Sequence, residues 1–404
     1  MPEDQSIELI LRGGEGDMRK YVTDPYPADP GVGQSRRAFL QTAGRVMLVA
    51  SSCNAIIRRA YSADYQSGCL DGGHPLFGAA VRADALRNDA AYRQAVKEFC
   101  QLVVPESELK WATVQPKRGQ FNFSEADFIV QFARSNGLSV RGHTLAWYAA
   151  LPPWTAEISS RAEAEAELTG HIRQTVTRCA SEIKLWDVIN EAIAERPTSA
   201  SDLRESIWTR HIGPDYIPLA FRTAHACAPS ARLFINDYDI EFEGAQFQAK
   251  RDAFLALLRR LKDDDVPVHG VGVQAHLIGS RTIDQKRLGE FLRAVHDLGL
   301  DIMVTELDVI DDEFPGDEAL RDKLVAQKTR ELLDCVFSVA VPTGVVTWGL
   351  SDKYTWVPIY YKRRDGLANR PLPLDLDMHV KPMYSVISEF IKRCRPDYSM
   401  ITAH

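Results

Sequence analysis

Leu185-Trp186-Asp187-Val188-Ile189-Asn190-Glu191-Ala192 is a short apolar run that ends abruptly in an amide and a carboxylate. A compact stretch rich in branched and aromatic side chains reads as a buried strand. Asn190 and Glu191 then fall where that strand opens into a loop. A second stretch of the same grammar follows more than a hundred residues later, where Ile302-Met303-Val304 leads into Thr305, Glu306, Leu307 and Asp308. Singly, either glutamate could merely close a strand in a polar turn. Together they make a carboxylate pair carried on two strand ends.

Working outward, strand-like runs recur at Phe77 to Val81, Cys100 to Val104, Leu138 to Gly142, Leu233 to Asn236, Gly270 to Gln274 and Val345 to Trp348. With the two glutamate-bearing runs that makes eight strands. Between them, segments such as Arg161 to Glu182 and Gln248 to Lys262 carry apolar residues at three- and four-residue spacing over charged partners, as helices covering a parallel sheet do. Eight alternations without internal repeats or a linker predict an α/β fold, a single (β/α)8 TIM barrel over residues 70–396. In that fold catalytic groups sit where strands end and loops begin.

The 404 residues are 45% hydrophobic and 25% charged, ordinary values for a globular chain. A formal net charge of −7 and the absence of a Lys/Arg-rich tract argue against nucleic acid or an anionic membrane surface as partner. The seven cysteines contain no Cys-x-x-Cys pair and there is no His-rich cluster, so neither a zinc site nor a dense disulfide framework is indicated. One or two bridges stay open for an exported protein. No metal and no cofactor are expected: Gly270-Val271-Gly272-Val273-Gln274-Ala275 imitates a dinucleotide fingerprint, but it lies inside the sixth predicted strand.

Trp186-Asp187-Val188-Ile189-Asn190-Glu191-Ala192 together with Val304-Thr305-Glu306-Leu307-Asp308-Val309 resembles the two catalytic signatures of glycoside hydrolase family 10, the xylanases. Further segments resemble that family in the same order from about residue 76 to residue 385. The resemblance implies a retaining endo-β-1,4-xylanase with Glu306 as nucleophile and Glu191 as acid/base. It implies support from Asn190 at the sugar's 2-hydroxyl and from His276, with Asp308 orienting His276. By position, Glu106, Lys110, His143, Trp147, Gln274, Trp348 and Trp356 match residues that bind substrate. Asn236-Asp237-Tyr238-Asp239 is similar to the family's fifth-strand motif and is read mainly as a structural rim.

Four positions depart from the family pattern. Ser107 stands where Asn is usual, Tyr148 for His, Ala150 for Gln, and Ser351 where Arg is common, the last also read as a change on the cleft side. They motivate an alternative with the same mechanism, a β-glycosidase acting on short xylo-oligosaccharides, aryl β-glycosides or another β-glycan. A more distant alternative is a non-catalytic carbohydrate-binding protein, which would have no need of a carboxylate pair.

Residues 1–55 read as a leader. Ser35-Arg36-Arg37-Ala38-Phe39-Leu40 and the modestly apolar stretch to Ala50 look like a twin-arginine export signal, implying a periplasmic or secreted enzyme. The competing reading is an amphipathic helix of the mature protein. Val49 to Cys53 also faintly resembles a lipoprotein site, with a lipid anchor on Cys53 as the minority reading. No run of about 18 apolar residues follows, so no transmembrane segment is expected. A monomer is expected because nothing suggests obligate assembly.

Overall fold

A computed structural model describes residues 74–199 and 201–394. The leader reading and Cys53 lie outside these residues. So do the edges of the expected domain, 70–73 and 395–396.

Among the described residues nine strands pair, all in parallel. They are β1 (Leu76–Val81), β2 (Leu102–Pro105), β3 (Ser139–Gly142), β4 (Ile183–Asn190), β5 (Arg232–Asp237), β6 (Gly270–Val273), β7 (His276–Ile278), β8 (Asp301–Ile310) and β9 (Gly344–Thr347). The order runs β6-β5-β4-β3-β2-β1-β9-β8, and pairing of β6 with β8 closes the ring into a (β/α)8 barrel. The short β7 is extra and pairs only with the far half of β8, His276 opposite Asp308.

Among the described residues eight long helices cover the barrel: α1 (Ala90–Phe99), α2 (Ser124–Ser135), α3 (Arg161–Cys179), α4 (Tyr216–Cys227), α5 (Ala245–Asp263), α6 (Gln285–Asp297), α7 (Glu318–Val339) and α8 (Pro382–Arg393). Their starts are chemically marked. The side chains of Asp89, Ser160, Asp284 and Asp317 accept first-turn amides of α1, α3, α6 and α7, and Pro382 opens α8. Each such cap satisfies donors that the helix itself cannot and is worth about 1 kcal/mol.

The barrel is filled, not hollow. Ala80, Leu102, Val104, Leu185, Phe234, Met303, Val346 and Trp348 come from six strands or their exits and pack as one buried cluster. Above Phe234 the Arg141 guanidinium lies 4.6 Å from the ring centroid and turns towards Asp187. Apolar packing thus gives way to ion pairs along the barrel axis, and the polar end carries the site.

Two expectations about strands need correction. Glu306 is not at a strand's exit, because β8 continues four residues beyond it to Ile310; β7 supplies the partners that keep it extended. Ser351 is not on the cleft side. It is fully buried, its hydroxyl donating to Asp375 O at 2.5 Å and accepting from Lys353 N–H. Its backbone is bridged to Leu374.

Cys100, Cys179, Cys227 and Cys335 carry free thiols. No described helix is long and apolar enough to cross a membrane.

Candidate active site

Both glutamates owe their aim to an irregularity in the strand before them. On β4, Asp187 and Ile189 face consecutive residues of β5, leaving Val188 as an extra residue. On β8, Val304 and Leu307 face Val345 and Thr347, leaving one extra residue around Thr305 and Glu306. Such a bulge bends the strand and re-aims a side chain. Glu191 then leaves the strand in the left-handed region, φ 57°. That is costly for a residue with a Cβ. Its N–H is held by Asn236 O at 2.8 Å and its carbonyl by Arg204 Nε at 3.2 Å.

Glu306 is 5% exposed and has a donor on each oxygen. Asn236 Nδ2 donates to Oε1 at 2.6 Å and His276 Nε2 lies 3.2 Å from Oε2. Asp308 Oδ1 sits 3.0 Å from the other nitrogen of His276, and Trp356 Nε1 donates to Asp308 Oδ2 at 2.7 Å. Burial by itself would lower the His276 pKa, but the Asp308 and Glu306 carboxylates raise it well above the ordinary value, so the ring is an imidazolium. Burial likewise works against ionised Glu306, and the His276 hydrogen bond with the charges of His143 and His276 overcomes it, leaving its pKa lowered.

Glu191 is tuned the other way. Burial and the nearby Asp237 charge raise its pKa, against the opposing effects of Arg204 and Gln274. Asn190 Nδ2 donates to Glu191 Oε1 at 3.0 Å and Gln274 Nε2 does so at 3.1 Å. One carboxyl kept ionised beside one pushed towards its protonated form is the division of labour that acid-assisted displacement requires.

The remaining residues singled out from sequence surround this pair. His143 Nδ1 lies 3.1 Å from Asp187 Oδ2 and 4.0 Å from Glu306 Oε1, and Trp348 meets the ring edge-on with centroids 5.1 Å apart. Lys110 Nζ stands 5.2 Å from the Trp147 ring and 5.8 Å from that of Trp348. Half-buried Glu106 has its pKa pushed up to about 7 by desolvation, against the pull of Lys110 and Arg82. Ser107 is exposed at the rim, whereas half-buried Tyr148 lies under the Arg204 guanidinium, 4.5 Å from ring centroid to carbon. Ala150 takes up a left-handed φ of 49°.

Sequence reasoning missed several contributors. Asn236, read as part of a structural rim, is a direct donor to Glu306 and also donates to Asn190 Oδ1 at 2.8 Å. Thr305 Oγ1 fixes that amide by donating to Asn236 Oδ1 at 2.6 Å. Gly272 leaves room for it, since a Cβ there would come 2.1 Å from Asn236 Oδ1. Asp187 is ionised despite its burial because Arg141 and His143 outweigh desolvation. A polar pair at the end of a third strand was the available signal for Asn236. Arg141 and Asp187, inside strands, offered none.

Behind Trp147 lies an apolar support. Trp208 Nε1 donates to Trp147 O at 3.0 Å, Trp208 stacks on Trp111, and Trp111 stacks on His171 of α3 at 3.7 Å. Neither ring nitrogen of His171 has a hydrogen-bond partner, and burial lowers its pKa to about 3. Above pH ~6.5 the ring is neutral folded or unfolded and contributes no pH dependence. Between about 6.5 and 3 only the unfolded chain takes the proton, so stability is lost as pH is lowered through that window. Replacing His171 with Phe is expected to shrink the drop in melting temperature between pH 7.5 and 4.5 by about 5 °C, reflecting ~2–3 kcal/mol. Equal drops in variant and parent, measured by calorimetry, would refute it.

Among the described residues no group of three or more His, Cys, Asp or Glu side chains is disposed to hold a metal. The arrangement is a two-carboxyl centre walled by Trp147, Trp348 and Trp356.

Comparison with known proteins identifies the family of the barrel. The chain is 34% identical over 336 residues to endo-1,4-beta-xylanase 1 of Humicola insolens, covering 82% of this chain and 75% of that protein. Its structure resembles the crystal structure of native xylanase 10B from Thermotoga maritima, with TM-score 0.71, 32% identity and coverage of 79% and 95%. It also resembles xylanase 10B from Thermotoga petrophila in complex with xylobiose, with TM-score 0.72, 30% identity and coverage of 82% and 100%. The sequence profile of Glycosyl hydrolase family 10 matches residues 70–390, which include every strand and both glutamates. A barrel of this topology, two glutamates in unlike environments and a match across the whole domain place the chain in Glycosyl hydrolase family 10.

Proposed function

We propose that the protein is a retaining endo-β-1,4-xylanase in which Glu306 is the nucleophile and Glu191 the acid/base. The observation that carries the assignment of roles is the asymmetry of the two carboxyls: Glu306 receives donors from Asn236 and His276, while Glu191 is desolvated beside Asp237. The family and its xylanase-named relatives support the substrate and the retention of configuration.

In the first step Glu306 attacks the anomeric carbon as Glu191 protonates the departing glycosidic oxygen. The carbon–oxygen bond breaks and a glycosyl-enzyme ester forms. Glu191, now a carboxylate, takes a proton from water, and that water attacks the anomeric carbon from the face the leaving group vacated, opposite Glu306, breaking the ester bond and releasing Glu306 as a carboxylate. Charge at the anomeric carbon is met by ionised Glu306, held below its ordinary pKa, and the imidazolium of His276 keeps the departing carboxylate ionised when the ester is cleaved. Binding is assigned to Glu106, Lys110, His143, Gln274 and the three tryptophans.

Product analysis tests the substrate. After incubation of the full chain with glucuronoxylan, cellulose and xylo-oligosaccharides, mid-chain cutting of xylan to short oligomers is expected. Tyr148 beside Arg204 and the small Ala150 favour a second reading, in which polymer is left intact and short or aryl xylosides are cleaved. That outcome would keep the mechanism and overturn the endo-acting assignment. We further infer export through the Arg36-Arg37 signal, supported by Ser35 to Leu40 and tested by replacing both arginines with lysine and following the enzyme into the medium or periplasm.

A further inference from the structure

The two catalytic carboxyls are touched by residues on either side of one amino acid. Gln274, which donates to Glu191, and His276, which meets Glu306, flank Ala275. Ala275 joins β6 to β7 and is fully buried with φ 62°. An alanine in that region is strained and persists only where its surroundings impose it. What imposes it here is a carboxylate. Glu241, 1% exposed on the segment after β5, accepts Ala275 N–H on Oε1 at 3.1 Å and Ile240 N–H on Oε2 at 2.9 Å.

The rest of the turn is tied to the same frame. Gln274 N–H is bound to Asp237 O at 3.0 Å, Glu306 N–H to Gln274 O at 2.9 Å, and Asp284 N–H to Glu241 O at 2.8 Å. Arg251 of α5 pins the Glu241 segment from below, donating to Ile240 O at 2.8 Å and Phe242 O at 3.1 Å. Remove the carboxylate and a buried amide of a strained residue loses its acceptor, a change that a left-handed alanine relieves by rotating.

We propose that Glu241 is a positioning residue that sets Glu191 and Glu306 together, by clamping the backbone from which Gln274 and His276 reach them. It rests on the assignment of those two glutamates, which Glu306→Ala tests separately. The charged groups facing Glu241 are Asp239 on its own segment and Arg251 and Asp284 from the α5 and α6 side. Burial first, then the Asp239 charge, pushes its carboxyl up to about 7.

The test is the pH dependence of kcat/KM on an aryl β-xyloside for Glu241→Gln in the full-length enzyme. The amide keeps the volume but presents a donor to one of the two N–H groups. Glu306 then loses part of its His276 bond and Glu191 part of its Gln274 bond. Both losses raise a pKa, so the acid and alkaline limbs are expected to move upward together. kcat should fall about ten- to a hundredfold, with KM changed less than about threefold.

Deleting a nearby negative charge without moving anything would shift both limbs downward instead, so the sign separates positioning from charge. Leu292→Ala, a buried change on α6 that takes no part in the hydrogen bonds of the turn, should lower the melting temperature and leave both limbs in place. If Glu241→Gln does not accumulate as folded protein, Glu241→Asp keeps the charge but is too short to span both amides, and it should show the same upward shift. Limbs that stay or move down, with kcat within about twofold of wild type, would overturn the proposal.

Discussion

Glu306→Ala is expected to abolish turnover on every glycoside, with kcat reduced about 10⁴-fold or more, equivalent to ~5.4 kcal/mol of lost transition-state stabilisation. Nothing nearby can substitute. Asn236 and His276 are donors aimed at the missing oxygens, and Asp187 is locked to Arg141 and His143. The loss should be as large for aryl glycosides with excellent leaving groups as for xylan, because attack fails whatever departs. Residual activity above about 1% of wild type, measured with contaminating activity excluded, would contradict the assignment.

Glu191→Ala should separate the two half-reactions. Where the leaving group is good, the lost proton matters least, so an aryl glycoside should still form the glycosyl-enzyme and release its aglycone in a burst. Xylan hydrolysis should fall about 10²–10⁴-fold. Azide, which needs no general base, should partly restore turnover by replacing water in the second step. Rescue of the Glu306 variant and not this one would exchange the roles.

The same pair sets the pH profile. Glu306 must be ionised, so activity is lost as pH falls through its lowered pKa. Glu191 must be protonated, so activity is lost as pH rises through its raised one. The alkaline limb should therefore disappear in Glu191→Ala, a result visible on aryl substrates in which the first step no longer needs the acid.

Glu191 and Glu306 could be found without coordinates because each is announced locally. An apolar run that breaks into carboxylate and amide is visible within a few residues, and the eight-fold alternation that predicts the barrel rests on periodicities equally short in range. The seventh predicted strand shows the limit of that reasoning. Its apolar pattern ends near Glu306, but β8 runs on to Ile310 because β7 lies alongside it, and a three-residue strand leaves no periodic trace.

Ser351 failed for a related reason. Its place in a motif suggested the cleft, and only the tertiary pairing of its backbone with Leu374 brings its buried hydroxyl to the Asp375 carbonyl. Asn236 was visible as a polar residue at a strand end. Its partner was not: it reaches Glu306 across 70 residues of sequence, while Gln274 reaches Glu191 across 83.

By itself, then, the sequence determined the barrel and pointed to the two carboxyls of the candidate site, since both readings follow from patterns a few residues long. Tertiary structure alone decided which carboxyl is held ionised and which is pushed towards its acid form. A pKa depends on desolvation and on groups within a few ångströms, and here those come from β4, β5, β7, the segments just past β3 and β6, and the loop holding Arg204, brought to one end of the barrel only when the ring of strands closes.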